Sequence, residues 1–203
     1  MTHGMTPAGV MEPAPDAEHG SGVYNEKLGM WVFLLSEIMF FTALIGSYII
    51  LRFSHPTAWL APGKMLNIPV TAVNTFLLIC SSVTMVKAYA SAMDGNQKML
   101  KVWLVLTVLI GATFVGIQVY EYTHLIEKGF VPSAGLYGST FYTMTGFHGF
   151  HVTMGVLCMS FVTWKAFRGR YTATDHRGVE VIGLYWHFVD LVWIILFTIV
   201  YLI

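Results

Sequence analysis

Apolar residues in this chain neither alternate nor gather in short amphipathic stretches. They run in five long blocks, at about 28–52, 69–93, 101–124, 138–164 and 179–203, with single polar residues set inside them. Each block exceeds the ~20 residues that cross ~30 Å of hydrocarbon. Lipid leaves the backbone no partner but itself, so blocks of this length are helices. The short alternating segments of an outer-membrane barrel are absent from the sequence. The pattern predicts an all-α, integral membrane five-helix bundle. His55-Pro56, Ala61-Pro62-Gly63, Asp94-Gly95-Asn96 and Val131-Pro132-Ser133 are turn signals between blocks. The longest internal connection, about 165–180, is polar and mildly basic. Residues 1–27, rich in Pro, Gly and Ala, carry Glu12, Asp16, Glu18 and Glu26 before their only Lys, Lys27. They read as a disordered, uncleaved tail ahead of one transmembrane domain, 28–203.

The polar residues inside the blocks narrow the picture. His187 and Asp190 lie three apart within Tyr185-Trp186-His187-Phe188-Val189-Asp190, on one helical face. A carboxylate at mid-helix costs ~2.5–3.5 kcal/mol on insertion scales, so it must face protein, water or a partner charge. Glu37, Gln118 with Glu121, and His148 with His151 pose the same demand on three other spans. At ~1.5 Å per residue, Glu37 comes out roughly 14 Å above Leu28 and Asp190 roughly 15 Å above Glu180. His148 and His151 come out roughly 15–20 Å below Gly138, so all four can share a mid-membrane layer. Glu121 and His124 fall roughly 30 Å above Lys101, and with Gln118 are expected toward the outer interface. Ala112 with Gly116, and Thr145 with Gly149, are small-xxx-small pairs that let helices approach closely.

Composition agrees: 56% of residues are hydrophobic and 11% charged, against about 25% charged in soluble domains. A net charge of zero gives no reason to expect nucleic acid. Cys80 and Cys158 are single thiols without metal spacing, suited to helix packing. Lys and Arg set the orientation. Lys27, Lys87, Lys98, Lys101, Lys165, Arg168, Arg170 and Arg177 share one side; Arg52, Lys64 and Lys128 share the other. The excess places the N-terminus in the cytoplasm and the C-terminus in the periplasm.

Three imidazoles and two acids are enough ligands for a metal or haem, but the repeated Glu-x-x-His motifs of a di-iron bundle are absent from the sequence. Glu37, Asp190, His148, His151 and His187 therefore read as buried polar groups that bond between helices or support proton movement. No catalytic, cofactor or metal residue is expected. Two readings of another class stand beside this one: a membrane haem-b protein using His148 or His151 with His187, and a proton channel or transporter using Glu37 and Asp190.

Taken in order, several motifs closely resemble subunit III of the haem–copper respiratory oxidases, both cytochrome c and quinol oxidases. They are Trp31-Val32-Phe33-Leu34-Leu35-Ser36-Glu37-Ile38-Met39-Phe40-Phe41, Asn74-Thr75 with Ser81-Ser82, and Gln118-Val119-Tyr120-Glu121-Tyr122. The most specific are Thr145-Gly146-Phe147-His148-Gly149-Phe150-His151-Val152 and Tyr185-Trp186-His187-Phe188-Val189-Asp190. The resemblance covers nearly everything after Lys27. It implies a non-catalytic accessory subunit of a proton-translocating oxidase in the bacterial cytoplasmic membrane. Haem and copper would sit in partner subunits. This chain would bind phospholipid, stabilise subunit I by direct lateral contact and support its proton uptake, beside subunit II and a small further subunit. Glu37 matches the family's buried acid, and Lys165 falls where the family places a base near lipid phosphate. Trp31 and His151 are further lipid-contact candidates. Many relatives have seven helices; the five here correspond to the last five, so another subunit is expected to supply the missing wall of the lipid cleft.

Overall fold

The structure is a computed structural model and describes residues 24–59, 66–133 and 135–202. Residues 1–23 of the expected tail, the Ala61-Pro62-Gly63 turn and Lys64 lie outside the described residues. Five helices are long and apolar enough to cross a membrane: α1 (Asn25–Ser54), α2 (Ile68–Met93), α3 (Gln97–Glu127), α4 (Leu136–Phe167) and α5 (Arg177–Phe197). α5 continues as a π-helical turn, Thr198–Leu202. No strand occurs among the described residues. Helix α1 begins at Asn25, so residues 25–27 belong to the first helix rather than to the tail.

The turn chemistry explains the boundaries. Gly95, at φ +69°, adopts the left-handed conformation that ends α2, and the Asn96 side chain then accepts a bond from the Met99 N–H to start α3. Gly129, at φ +78°, ends α3 in the same way. Pro69 stands in the first turn of α2, where its missing N–H is no loss. Glu26 in the first turn of α1 and Arg52 in its last turn complement the helix dipole.

Helices α2 to α5 close into a four-helix ring, each packed on its sequence neighbour and α5 returning to α2. Helix α1 lies outside this ring, mainly against α5 with a lighter contact to α4. At the centre stands Trp186, almost wholly buried. A Cβ at Gly111 of α3 would fall 2.7 Å from its ring, and one at Gly155 of α4 would fall 2.9 Å from it. These two glycines let the indole fill the space between α3 and α4. The expected Ala112–Gly116 pair plays no such part: Ala112 is exposed, and a Cβ at Gly116 would meet nothing. One residue is about 100° of helix, enough to turn the small-residue seam from Ala112 to Gly111. Thr145 and Gly149 do face inward, with Gly149 against the Gln118 amide.

Polar groups hold the ring together where water cannot reach. Trp186 Nε1 donates to Ser81 Oγ and Trp193 Nε1 to Thr75 Oγ1, both at 2.9 Å. Both bonds join α5 to α2. Thr84 and Thr107 share a 2.8 Å bond between α2 and α3. Asn74 Nδ2 donates to the Phe114 carbonyl at 3.3 Å. In a lipid interior such bonds replace the hydrophobic drive that would hold helices together in water.

Candidate functional site

Two levels of polar chemistry tie α1 to the ring. At its first turn, Lys27 Nζ lies 2.6 Å from Glu180 Oε1 at the start of α5. The Tyr24 hydroxyl donates to Glu180 Oε2 at 2.8 Å. Burial, then the neighbouring Glu180 carboxylate, push the Tyr24 phenol well above its ordinary value, so it stays a neutral donor. At mid-helix, Glu37 Oε2 lies 3.0 Å from His151 Nε2, with both side chains largely shielded. His151 Nδ1 is 2.7 Å from the Phe147 carbonyl. A carbonyl only accepts, so Nδ1 carries a proton and donates. A hydrogen bond between Glu37 Oε2 and His151 Nε2 then needs one further proton, carried by either partner. Phe40 and Phe41 of α1 pack around the same imidazole.

The other ionisable residues expected at mid-depth do not join this pair. His148 is fully buried: its Nε2 donates to the Val189 carbonyl at 3.2 Å, and its ring stacks on Trp193 with centroids 4.6 Å apart. His187 Nδ1 lies 2.9 Å from Ser82 Oγ of α2. Asp190 neighbours both Ser82 and His187, and its Oδ1 is buried without a hydrogen-bond partner among the described residues. His148, His151 and His187 thus turn to three different partners. Among the described residues no three His, Cys, Asp or Glu side chains come together to hold a metal ion.

Gln118 faces a neighbouring helix. It is buried between α3 and α4, donating to the Thr145 carbonyl at 3.0 Å, while Tyr122 donates to Thr145 Oγ1 at 2.7 Å. Its amide needs buried partners, and Gly149 leaves the room for it. Glu121 is half-buried and accepts from Thr71 Oγ1 at 2.5 Å. His124 is exposed, 3.7 Å from Glu127.

Two cavities flank α1. One, of about 800 Å³, opens between the start of α1, the end of α4 and the start of α5. Its walls are apolar, including Met30, Leu157, Phe161 and Ile182, and its rim holds Lys165, Arg170 and Arg177 against Glu26 and Asp175. The Lys165 ammonium sits 4.7 Å over the Phe161 ring. Tyr171, whose phenol burial pushes upward, packs against Gly178 beside it. The second cavity, of about 400 Å³, lies between α1 and α5 and is lined almost entirely by apolar side chains, with Trp31 and His187 among them. The three expected lipid contacts therefore separate: Lys165 in one cavity, Trp31 in the other, and His151 engaged with Glu37. Tyr24, Lys27, Glu180, Ser82 and Trp186 were not among the expected site residues. The fixed pairing of Lys27 with Glu180 follows only from the side-by-side packing of α1 and α5.

The chain matches the family described as cytochrome c oxidase subunit III over residues 10–203. It is 39% identical to cytochrome c oxidase subunit 3 of Thermostichus vulcanus over 86% of each chain. It is 37% identical to subunit 3 of the cytochrome bo(3) ubiquinol oxidase of Pseudomonas aeruginosa, over 92% of this chain and 88% of that one. It is 42% identical to cytochrome c oxidase subunit 3 of Synechocystis sp., over 93% of this chain and 81% of that one. With five membrane-spanning helices and bacterial relatives throughout that set, this is a multi-pass protein of the bacterial inner membrane. The chain belongs to the cytochrome c oxidase subunit III family and is an accessory subunit of a haem–copper oxidase.

Proposed function

We propose that this subunit does no oxygen chemistry itself and serves as a lipid-holding lateral partner of subunit I. The observation that carries the reading is the cavity of about 800 Å³ with apolar walls and a cationic rim. That division matches a phospholipid, with phosphate against Lys165 and Arg170 and acyl chains along Met30, Leu157 and Phe161. A lysine supplies a point charge there rather than the two-pronged contact of an arginine. The Glu37–His151 pair supports the second part of the role, holding a proton at mid-depth beside subunit I's uptake route. Phospholipid is the bound cofactor; haem and copper belong to the partner subunits I and II. The outward flank of α1 rests against a further subunit that supplies the cleft's missing wall. The Lys and Arg excess places the N-terminus in the cytoplasm and the C-terminus in the periplasm.

The test uses the purified oxidase carrying Lys165→Ala with Arg170→Ala. Bound phospholipid phosphorus is expected to fall and the turnover lifetime before inactivation to shorten, with haem and copper content unchanged. Retained phosphorus and an unchanged lifetime would overturn the lipid role. Loss of haem or copper would overturn the accessory one.

A further inference from the structure

The second cavity has no part in that reading. It runs from Trp31 to Ile45 along α1 and from Leu184 to Ile195 along α5. At 1.5 Å per residue its length on α1 is ~21 Å. Its volume is about 400 Å³, and Leu35, Ile38, Leu191 and Ile195 give a hydrocarbon chain lying along it an apolar wall.

One feature separates this groove from an ordinary furrow between helices. His187 lines it, and the ring's Nδ1 is already engaged by Ser82 at 2.9 Å. Nε2 makes no hydrogen bond to the protein among the described residues, and the ring is only half-buried. A ring nitrogen facing hydrocarbon without a partner is costly. Thr42 places a hydroxyl-bearing side chain on the wall that α1 contributes. Along α5, His187 leaves eight residues, ~12 Å, of groove toward Ile195.

We propose that this groove binds a single-chain amphiphile whose neutral head carries a hydroxyl, with the head at His187 and the tail toward Ile195. A hydroxyl both donates and accepts, so it satisfies Nε2 in either tautomer of His187. A charged phosphate head is excluded by the depth of the site and by the absence of a cation among its lining residues. A long-chain alcohol and an alkyl phenol share the required chemistry.

The experiment uses the intact oxidase in phosphatidylcholine nanodiscs, with decanol carrying a photoactivatable diazirine near its tail and the matching diazirine alkane without the hydroxyl. Labelling of α1 and α5 peptides around the groove is read by mass spectrometry. The alcohol is expected to label more strongly than the alkane by about threefold to twentyfold, the range one hydrogen bond in a membrane interior spans. His187→Leu is expected to bring the alcohol down to the alkane's level. Ile38→Trp, which fills the groove and leaves His187 in place, is expected to abolish labelling by both probes. Excess unlabelled decanol or an alkyl phenol then competes, and the stronger competitor names the source. Equal labelling by alcohol and alkane in the unaltered protein would overturn the proposal, as would competition by neither. Lys165→Ala leaves this labelling unchanged, so the groove and the phospholipid cavity fail or stand separately.

Discussion

Helices α1 and α5 are nearly equal in hydropathy, yet one stands at the edge of the molecule and the other at its centre. Helix α1 buries three side chains, Leu34, Phe41 and Tyr48, spaced seven apart along one narrow seam. Helix α5, nine residues shorter, buries nine, and Gly183 besides. Apolar content does not explain this, because lipid tails satisfy apolar side chains as well as protein does. The difference lies in shape and donors. α5 carries two indoles whose N–H groups find hydroxyls on α2, and its neighbours offer Gly111 and Gly155 for the Trp186 ring. α1 is fixed instead at separated points: Tyr24 and Lys27 to Glu180, Glu37 to His151, and Tyr48 beside Trp59. In this bundle, polar and small residues decide which span sits inside.

Trp186→Ala attacks the central helix most directly. It leaves a void between two glycines that cannot fill it, and is expected to cost about 3–5 kcal/mol. Thermal unfolding in mild detergent would register the loss, and an unchanged midpoint would mean that α5 is not the centre. Gly155→Val drives side-chain atoms into the same ring and is expected to cost about 1–3 kcal/mol, read in the same assay. At the seat of the peripheral helix on α4, His151→Phe is expected to cost only ~1–2 kcal/mol, as faster hydrogen exchange confined to 25–54. Combined with Glu37→Leu, it should add almost nothing further, since either change alone removes the same bond. The smallest effect is expected from Tyr24→Phe, about 0.5 kcal/mol, seen as fraying of the first turn of α1 alone. Exchange spreading into α2 to α5 after His151→Phe or Tyr24→Phe would erase the distinction between edge and centre.

Much of this was legible in the sequence. The five spans follow from hydropathy and the turn between α2 and α3 from Gly95 and Asn96, because both depend on local chemistry. That Glu37, His148, His151 and Asp190 need partners was legible too, since lipid permits nothing else. Which partner each takes was not. Every span is apolar nearly all round, so no amphipathic stripe fixes its rotation about its own axis. The glycine seam was accordingly placed one residue late, at Ala112 rather than Gly111. For the same reason the sequence does not show that Gln118 is buried against Thr145, or that Trp31 and Lys165 line different cavities beside α1.

Because the Phe147 carbonyl claims the proton on His151 Nδ1, the 3.0 Å hydrogen bond between Glu37 and His151 needs one further proton, on Glu37 or on Nε2, and a couple so bonded is electroneutral. It is either a neutral acid beside a neutral ring or a carboxylate beside an imidazolium. A solitary carboxylate at half depth would feel roughly 1 kcal/mol for each 100 mV of membrane potential. The couple feels almost none, so α1 keeps its seat whether the membrane is energised or collapsed.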